Sequence, residues 1–416
     1  MAKSRAAAVP FILVVLLLDT LGIGVILPVL PRLITGFVGD DLGAGSRWFG
    51  WFGAVYAAMQ FIWAPLMGAL SDRFGRRPVI LTSLLGAGLD YLLLAFAPSL
   101  GWLFVGRVLA GVTGASFAAA TAYIVDVTPS DKRAEGLGLA GAAFGVGFIA
   151  GPALGGLVGE ASLRAPFLVA AALNLANLVY GAFVLPESLA PENRRPVSLA
   201  RANPLGALRN LARSPMLLGM SGALVLEFLA QQMKINVWAL YTADRFGWGP
   251  LGVGASLALA GVGAAIVQGG LVGKIVPRLG ERRSLLFGLV AACVGSIAVG
   301  LASRGWMIYA LLVPLSIAGV AGPAAQALLS REVAADSQGE LQGSLSALNS
   351  VTSIVGPLLG TALFAHFAPA AASPRVQGAP FFAAAVCDAA ALILVLRLFA
   401  RLPPRAASAG PPASPR

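Results

Sequence analysis

The sequence predicts an all-α membrane protein of twelve transmembrane helices, built as two parallel six-helix repeats. Three observations predict it. Hydrophobic residues make up 58% of the chain and charged residues only 11%, against about 25% charged residues in a typical soluble domain. Twelve apolar runs approach the roughly 20 residues that a membrane helix needs. The chain also repeats itself at a constant offset of 205 residues, close to half of its 416. Gly68-Ala-Leu-Ser-Asp72-Arg73-Phe-Gly75-Arg76-Arg77 returns as Gly273-Lys-Ile-Val-Pro277-Arg278-Leu-Gly280-Glu281-Arg282. Gly151, Pro152 and Gly155 return as Gly356, Pro357 and Gly360, and Asp131, Glu135 and Gly138 as Asp336, Glu340 and Gly343. Parallel repeats inside a membrane protein are the layout of a transporter with its site between the halves.

The spans are expected at about 8–31, 48–70, 78–97, 101–125, 135–159 and 165–186 in the first half, residues 1–186. Those of the second half, residues 214–401, are expected at about 215–241, 250–274, 283–301, 304–328, 341–366 and 379–400. A polar linker, 187–213, joins the halves, and a tail rich in Pro, Ala and Ser, 402–416, is expected to be disordered. The first apolar run is too long for the core of a secretory signal and lacks a small-residue cleavage site, so it reads as span 1. Cys293 and Cys387 both lie in apolar runs and imply no disulfide framework.

The net charge of +11 does not point to nucleic acid, because the basic residues sit in short clusters between apolar runs. With both termini in the cytoplasm, the outer loops hold Arg32, Arg47, Arg164, Arg245, Arg304 and Arg375. Arg107 and Lys234 lie inside spans, and the remaining 21 of 29 Lys and Arg face the cytoplasm. That asymmetry is the positive-inside pattern of a multi-pass protein of the inner, cytoplasmic membrane.

The loop after span 2 holds Gly68, Asp72, Arg73, Gly75, Arg76 and Arg77. Its glycines permit a tight reversal, and one acid among three basic residues suggests a specific pair. The expected role is a latch between the halves, made in one conformation and broken in the other. Asp126, at the cytoplasmic end of span 4, is expected to join it beside Asp72 and Arg77. Arg76 reads equally as topology signal alone. In span 5, Gly147, Gly151 and Gly155 lie four apart on one face, which lets a neighbouring helix pack closely. Pro152 frees the carbonyl of Phe148, so a bend is expected.

The first motif, the span 5 motif and the duplicated layout resemble the major facilitator superfamily, with the span 5 pattern found in its antiporters. Asp19-Thr-Leu-Gly-Ile-Gly-Val-Ile-Leu-Pro28-Val-Leu-Pro31, Tyr56-Ala-Ala-Met-Gln60, Leu89-Asp90-Tyr91 and Gly106-Arg107 resemble the tetracycline/proton antiporters more narrowly. So do Asp244-Arg245-Phe246-Gly247-Trp248, Leu341-Gln342-Gly343 and Gly356-Pro357-Leu358-Leu359. The resemblance covers about residues 10 to 400. It implies proton-coupled efflux of an amphipathic drug, with a divalent-metal–tetracycline complex as cargo.

A charge inside a span costs at least roughly 2.5–3.5 kcal/mol at the helix centre, so each needs a reason. Six charged residues lie away from the span ends: Asp19, Asp90, Arg107, Glu227, Lys234 and Asp388. Asp19 lies near mid-membrane, about eleven residues into span 1. It could bind a cation, take up a proton, or balance a structural cation; the resemblance implies that the matching acid is essential. Asp90 and Arg107 lie at matched depths on spans 3 and 4, which a three-residue connection makes antiparallel neighbours. They are expected to pair, as a switch or a static bridge. Glu227 and Lys234 lie two turns apart on one face of span 7. With Gln232 they suggest a cavity wall, to which Gln60, Gln268 and Asn349 could add hydrogen bonds; Lys234 snorkelling outward is the alternative.

The chain departs from the resembling family at two positions. The family's span 8 histidine and span 9 aspartate, both tied to proton coupling, are Ala264 and Ala292 here. Glu227 is expected to replace the missing carboxylate. The only histidine, His366, reads as a solvated helix end. No Walker-type phosphate loop is present, and no nucleotide, resident metal or other cofactor is expected. A monomer with protons, lipid and a small-molecule substrate as partners is the expected unit. Export of another drug or metabolite, facilitated import, and a membrane-embedded enzyme or receptor are the other readings. An enzyme would need a nucleophile–base set that the spans lack.

Overall fold

In lipid, long apolar segments must satisfy their backbone polar groups internally, and helices do so. A computed structural model describes residues 8–114, 116–195, 211, 214–334, 337–367 and 376–401. Among them every regular element is helical, and twelve are long and apolar enough to cross a membrane. Spans 1 to 6 are Val9–Gly36, Leu42–Phe74, Arg76–Phe96, Leu100–Val127, Glu135–Ala161 and Ala165–Val184. Spans 7 to 12 are Pro215–Phe246, Pro250–Leu279, Glu281–Leu301, Gly305–Ser330, Gln338–Phe367 and Val376–Arg401. Asp336, Arg375, most of the linker (196–210, 212–213) and the tail lie outside the described residues.

Spans 2 and 7 are longer than the sequence suggests, because polar residues at their ends continue the helix beyond the apolar core. Asp41 caps span 2, its carboxylate accepting from the Ala44 amide at 3.0 Å, and Ser214 caps span 7 through the Leu217 amide at 3.0 Å. Span 4 is interrupted at Gly114, and span 10 at the corresponding place, the 3-10 turn Ser316–Val320 that contains Gly319. The repeat thus carries its helix breaks as well as its motifs.

Only one glycine of each duplicated loop makes the reversal. Gly75 has φ 109° and Gly280 φ 77°, whereas Gly68 and Gly273 lie inside helices. Glu187 then caps span 3, its carboxylate accepting from the Arg76 and Arg77 amides at 2.9 and 3.3 Å. It packs so closely on Gly75 that a Cβ there would strike its carboxyl group. Gly75→Ala is therefore expected to lower stability by about 1–3 kcal/mol, read as a lower midpoint for thermal unfolding in detergent.

The two halves meet along two helix pairs, span 2 with span 11 and span 5 with span 8. Both contacts are tight at the end away from the linker. A Cβ on Gly50 or Gly53 would meet Thr361 or Pro357, and one on Gly156 or Gly254 would meet the backbone of the opposite helix. Glu160, at the end of span 5, adds a cap across the junction, accepting from the Leu251 amide of span 8 at 2.9 Å. Toward the linker end the same helices part. Gly138, Gly141 and Gly145 of span 5 and Gly269, Gly270 and Gly273 of span 8 have no neighbour in Cβ reach. Along these two helix pairs the cleft between the halves is closed at the far end and open at the linker end.

The span 5 glycines serve the packing of span 1. Gly147 lies against Leu17 and Thr20, Gly151 against Leu21 and Gly24, and Gly155 against Val25. The helix continues through Pro152 from Arg133 to Ala161.

Candidate functional site

The site in the first half starts from the break in span 4. Gln60 of span 2 donates to the Gly114 carbonyl at 3.5 Å, where the helix is interrupted, and to the Tyr56 hydroxyl at 2.9 Å. Tyr56, one turn before Gln60, lies beneath Arg107, whose guanidinium carbon is 5.8 Å from the ring centroid. The Arg107 Nη2 is 3.6 Å from the Asp90 Oδ2, and both side chains are buried, at 8% and 1% exposure. The expected pair therefore forms, but at ion-pair rather than hydrogen-bond distance. Asp90 Oδ1 and Arg107 Nε have no hydrogen-bond partner. Asp19, Asp90 and Arg107 all act electrostatically on the Tyr56 and Tyr91 hydroxyls, so three charges and two phenols form one cluster from spans 1, 2, 3 and 4. Such a loosely closed pair beside a second acid can exchange partners with a cation or a proton.

At the linker end, Arg76 rather than Arg77 holds the acids. It reaches Asp72 at 2.5 Å and Asp126 at 3.0 Å, and donates to the Ser71 hydroxyl at 2.6 Å. Arg77 donates instead to the Ala182 carbonyl, and exposed Arg73 covers Phe74. The side chain at position 76, the first residue of span 3, points back across the Gly75 reversal to Ser71 and Asp72 in the last turn of span 2. All these contacts lie within the first half, and none of them crosses to the second half. The second half repeats the clasp with its charges exchanged. Glu281 and Arg331, at the same 205-residue offset from Arg76 and Asp126, pair at 2.6 Å.

The expected polar wall on span 7 divides into two faces. Gln232 bonds Ser353 of span 11 at 2.7 Å, and Asn236 approaches Gly53 of span 2, so these residues lie toward the junction of the halves. Glu227 and Lys234 turn the other way, into the second half. Glu227 borders a void of about 10 Å³ with Met220, Leu285, Ala321 and Val395. Lys234 reaches Asp388 of span 12 and Ser296 of span 9, each at 3.2 Å. This corrects the placement of Lys234 as a cavity or snorkelling residue. Its partner lies 154 positions along the chain, where no local spacing could reveal it. Gln268 is exposed within a π-helical turn, Val267–Leu271, and Asn349 is exposed on span 11. His366 is exposed in the last turn of span 11, as expected.

The family model described as Major Facilitator Superfamily matches residues 12–322 and 222–415. The chain belongs to that superfamily. This major facilitator is 45% identical over 348 residues to the class C tetracycline resistance protein of Escherichia coli, covering 84% of this chain and 87% of that one. It is 42% identical over 377 residues to the class G protein of Vibrio anguillarum, covering 88% and 92%. Its fold matches the crystal structure of the nucleoside transporter NupG with a TM-score of 0.77 at 10% identity, over 95% of this chain and 100% of that one. The twelve spans, their duplicated arrangement and the cleft between halves are those of a multi-pass major facilitator transporter rather than an enzyme.

Proposed function

We propose that this transporter exports tetracycline, carried as a complex with a divalent cation, in exchange for protons. The observation that carries the reading is the cluster of Asp19, Tyr56, Asp90 and Arg107, in a chain 45% identical to a tetracycline resistance protein. The linker end faces the cytoplasm, where most Lys and Arg lie. Cargo enters the cleft from the cytoplasm or inner leaflet and meets acids near mid-membrane. Arg107 leaves Asp90 as the cationic complex binds, and a proton arriving from outside neutralises Asp19 or Asp90 and lowers the hold on the cargo. The halves rock between two closures, and the differential affinity of proton and cargo for the two states sets the direction. The functional unit is one chain.

Everted membrane vesicles test this directly. Tetracycline with magnesium is expected to accumulate when a proton gradient is imposed and to leak back when an uncoupler collapses it. Uptake indifferent to the uncoupler would sink antiport. A second reading, a proton-coupled exporter of another amphipathic drug, is favoured by Ala264 and Ala292, where the resembling family carries ionisable groups. A susceptibility panel in a pump-deficient host separates the two.

A further inference from the structure

Two charge pairs are buried among the described membrane spans, one in each half. The second, between Lys234 and Asp388, has no part in the cleft described above. The Asp388 carboxylate is fully buried, while the Lys234 side chain keeps 20% exposure. Asp388 Oδ2 accepts from the Ser296 hydroxyl at 3.0 Å and from Lys234 at 3.2 Å, but Oδ1 has no hydrogen-bond partner. A buried ion pair is often no more stabilising than apolar residues of similar volume. Half of this carboxylate is also left unsatisfied, so packing alone is a poor account of it. Span 7 adds a second acid. Glu227 lies two turns before Lys234, about 10 Å along the axis, at the level where span 12 has Val395, two turns past Asp388. Long side chains on a helix lean toward its N-terminus, so Lys234 leans toward Glu227. The other titratable groups packed around the pair are Cys293 of span 9 and Cys387 of span 12.

We propose that Asp388 is a proton-accepting group of the second half, with Lys234 as the counter-charge that moves when the proton arrives. One proton binds at the open Oδ1 and makes a neutral carboxylic acid. The Lys234 ammonium keeps its own proton, loses its partner and turns to the Glu227 carboxylate. The movement strains or relaxes the contacts of spans 7, 9 and 12, and so couples protonation to rearrangement inside the second half. This rests on the proton-exchange reading above for its transport consequence, but not for the protonation itself.

Infrared difference spectroscopy on the purified full-length protein in liposomes reads the protonation without any cargo. Acidification is expected to raise a buried carboxylic-acid C=O band that Asp388→Asn removes. A band unchanged in that variant overturns the proposal. Everted vesicles give the second readout. Asp388→Asn is expected to keep exchanging labelled for unlabelled tetracycline while its gradient-driven accumulation ratio falls to about one. If wild-type vesicles show no gradient-driven uptake, the tetracycline/proton reading fails while the infrared band still judges Asp388. Should Asp388→Asn not accumulate in the membrane, Lys234→Gln/Asp388→Asn removes both charges. A merely structural pair predicts that this double variant transports against a gradient, which would overturn the proposal; a proton-accepting Asp388 predicts exchange without accumulation.

Discussion

Arg107→Gln is expected to abolish drug efflux and to reduce the amount of folded protein in the membrane. Arg107 is the cation that offsets Asp90, which is 1% exposed and has one oxygen without a partner. Removing one member of a buried pair leaves an uncompensated charge and costs roughly 3–5 kcal/mol. The same substitution removes the cation that Tyr56 faces. The double variant Asp90→Asn/Arg107→Gln separates the two losses. It is expected to restore folded protein, since neither member of the buried pair is left without its partner, but not transport, since the exchangeable pair is gone. Quantitative immunoblotting and minimum inhibitory concentration of tetracycline check both. A single Arg107→Gln strain that keeps full resistance would show that the pair is no part of the transport cycle.

Gly254→Leu is expected to stop transport by a different route, with the charges untouched. Gly254 lies against the Pro152 carbonyl and Gly156 at the closed far end. A side chain there meets backbone, which cannot rotate aside. Overpacking costs about 1–3 kcal/mol, and here the cost falls only on the state in which that end is shut. A penalty of about 3 kcal/mol on one of two states shifts their ratio by roughly a hundredfold. The variant should accumulate with the far end open. A single cysteine introduced at Asn236, in a background without Cys293 and Cys387, should then react faster with an impermeant thiol reagent added from outside whole cells. Equal labelling in the two backgrounds would mean that spans 5 and 8 do not form the outer closure. Glu160→Gln, which weakens the carboxylate cap on span 8 without adding bulk, should move labelling the same way by a smaller factor.

Much of this was legible in the sequence wherever the signal was local or repeated. The twelve spans followed from apolar runs, and the Asp90–Arg107 pair from matched depths on helices joined by three residues. The rest depended on contacts between distant segments. Arg76 and Arg77 are indistinguishable as letters, and only the helix that begins at residue 76 turns one toward Asp126 and the other toward Ala182. Glu187 reads as the first polar residue of a linker, yet it caps span 3 from 111 positions away. Glu227 and Lys234 share a helical face as their spacing demands, but spacing could not say whether that face looks into the cleft or into the second half. The neighbours of span 7 decide that, and Asp388 is one of them.

The exchanged clasp has a consequence for how the chain folds. A duplicated protein risks assembling wrongly, with the hairpin of one repeat docking in the groove meant for the other. Were the loop after span 2 to settle on span 10, Arg76 would face Arg331. Were the loop after span 8 to settle on span 4, Glu281 would face Asp126. Both errors set like charges against each other, which disfavours them relative to the native pairing. Only the native partition joins Arg76 to Asp126 and Glu281 to Arg331. The two salt bridges thus have opposite polarity, so each hairpin is charge-complementary only to its own half.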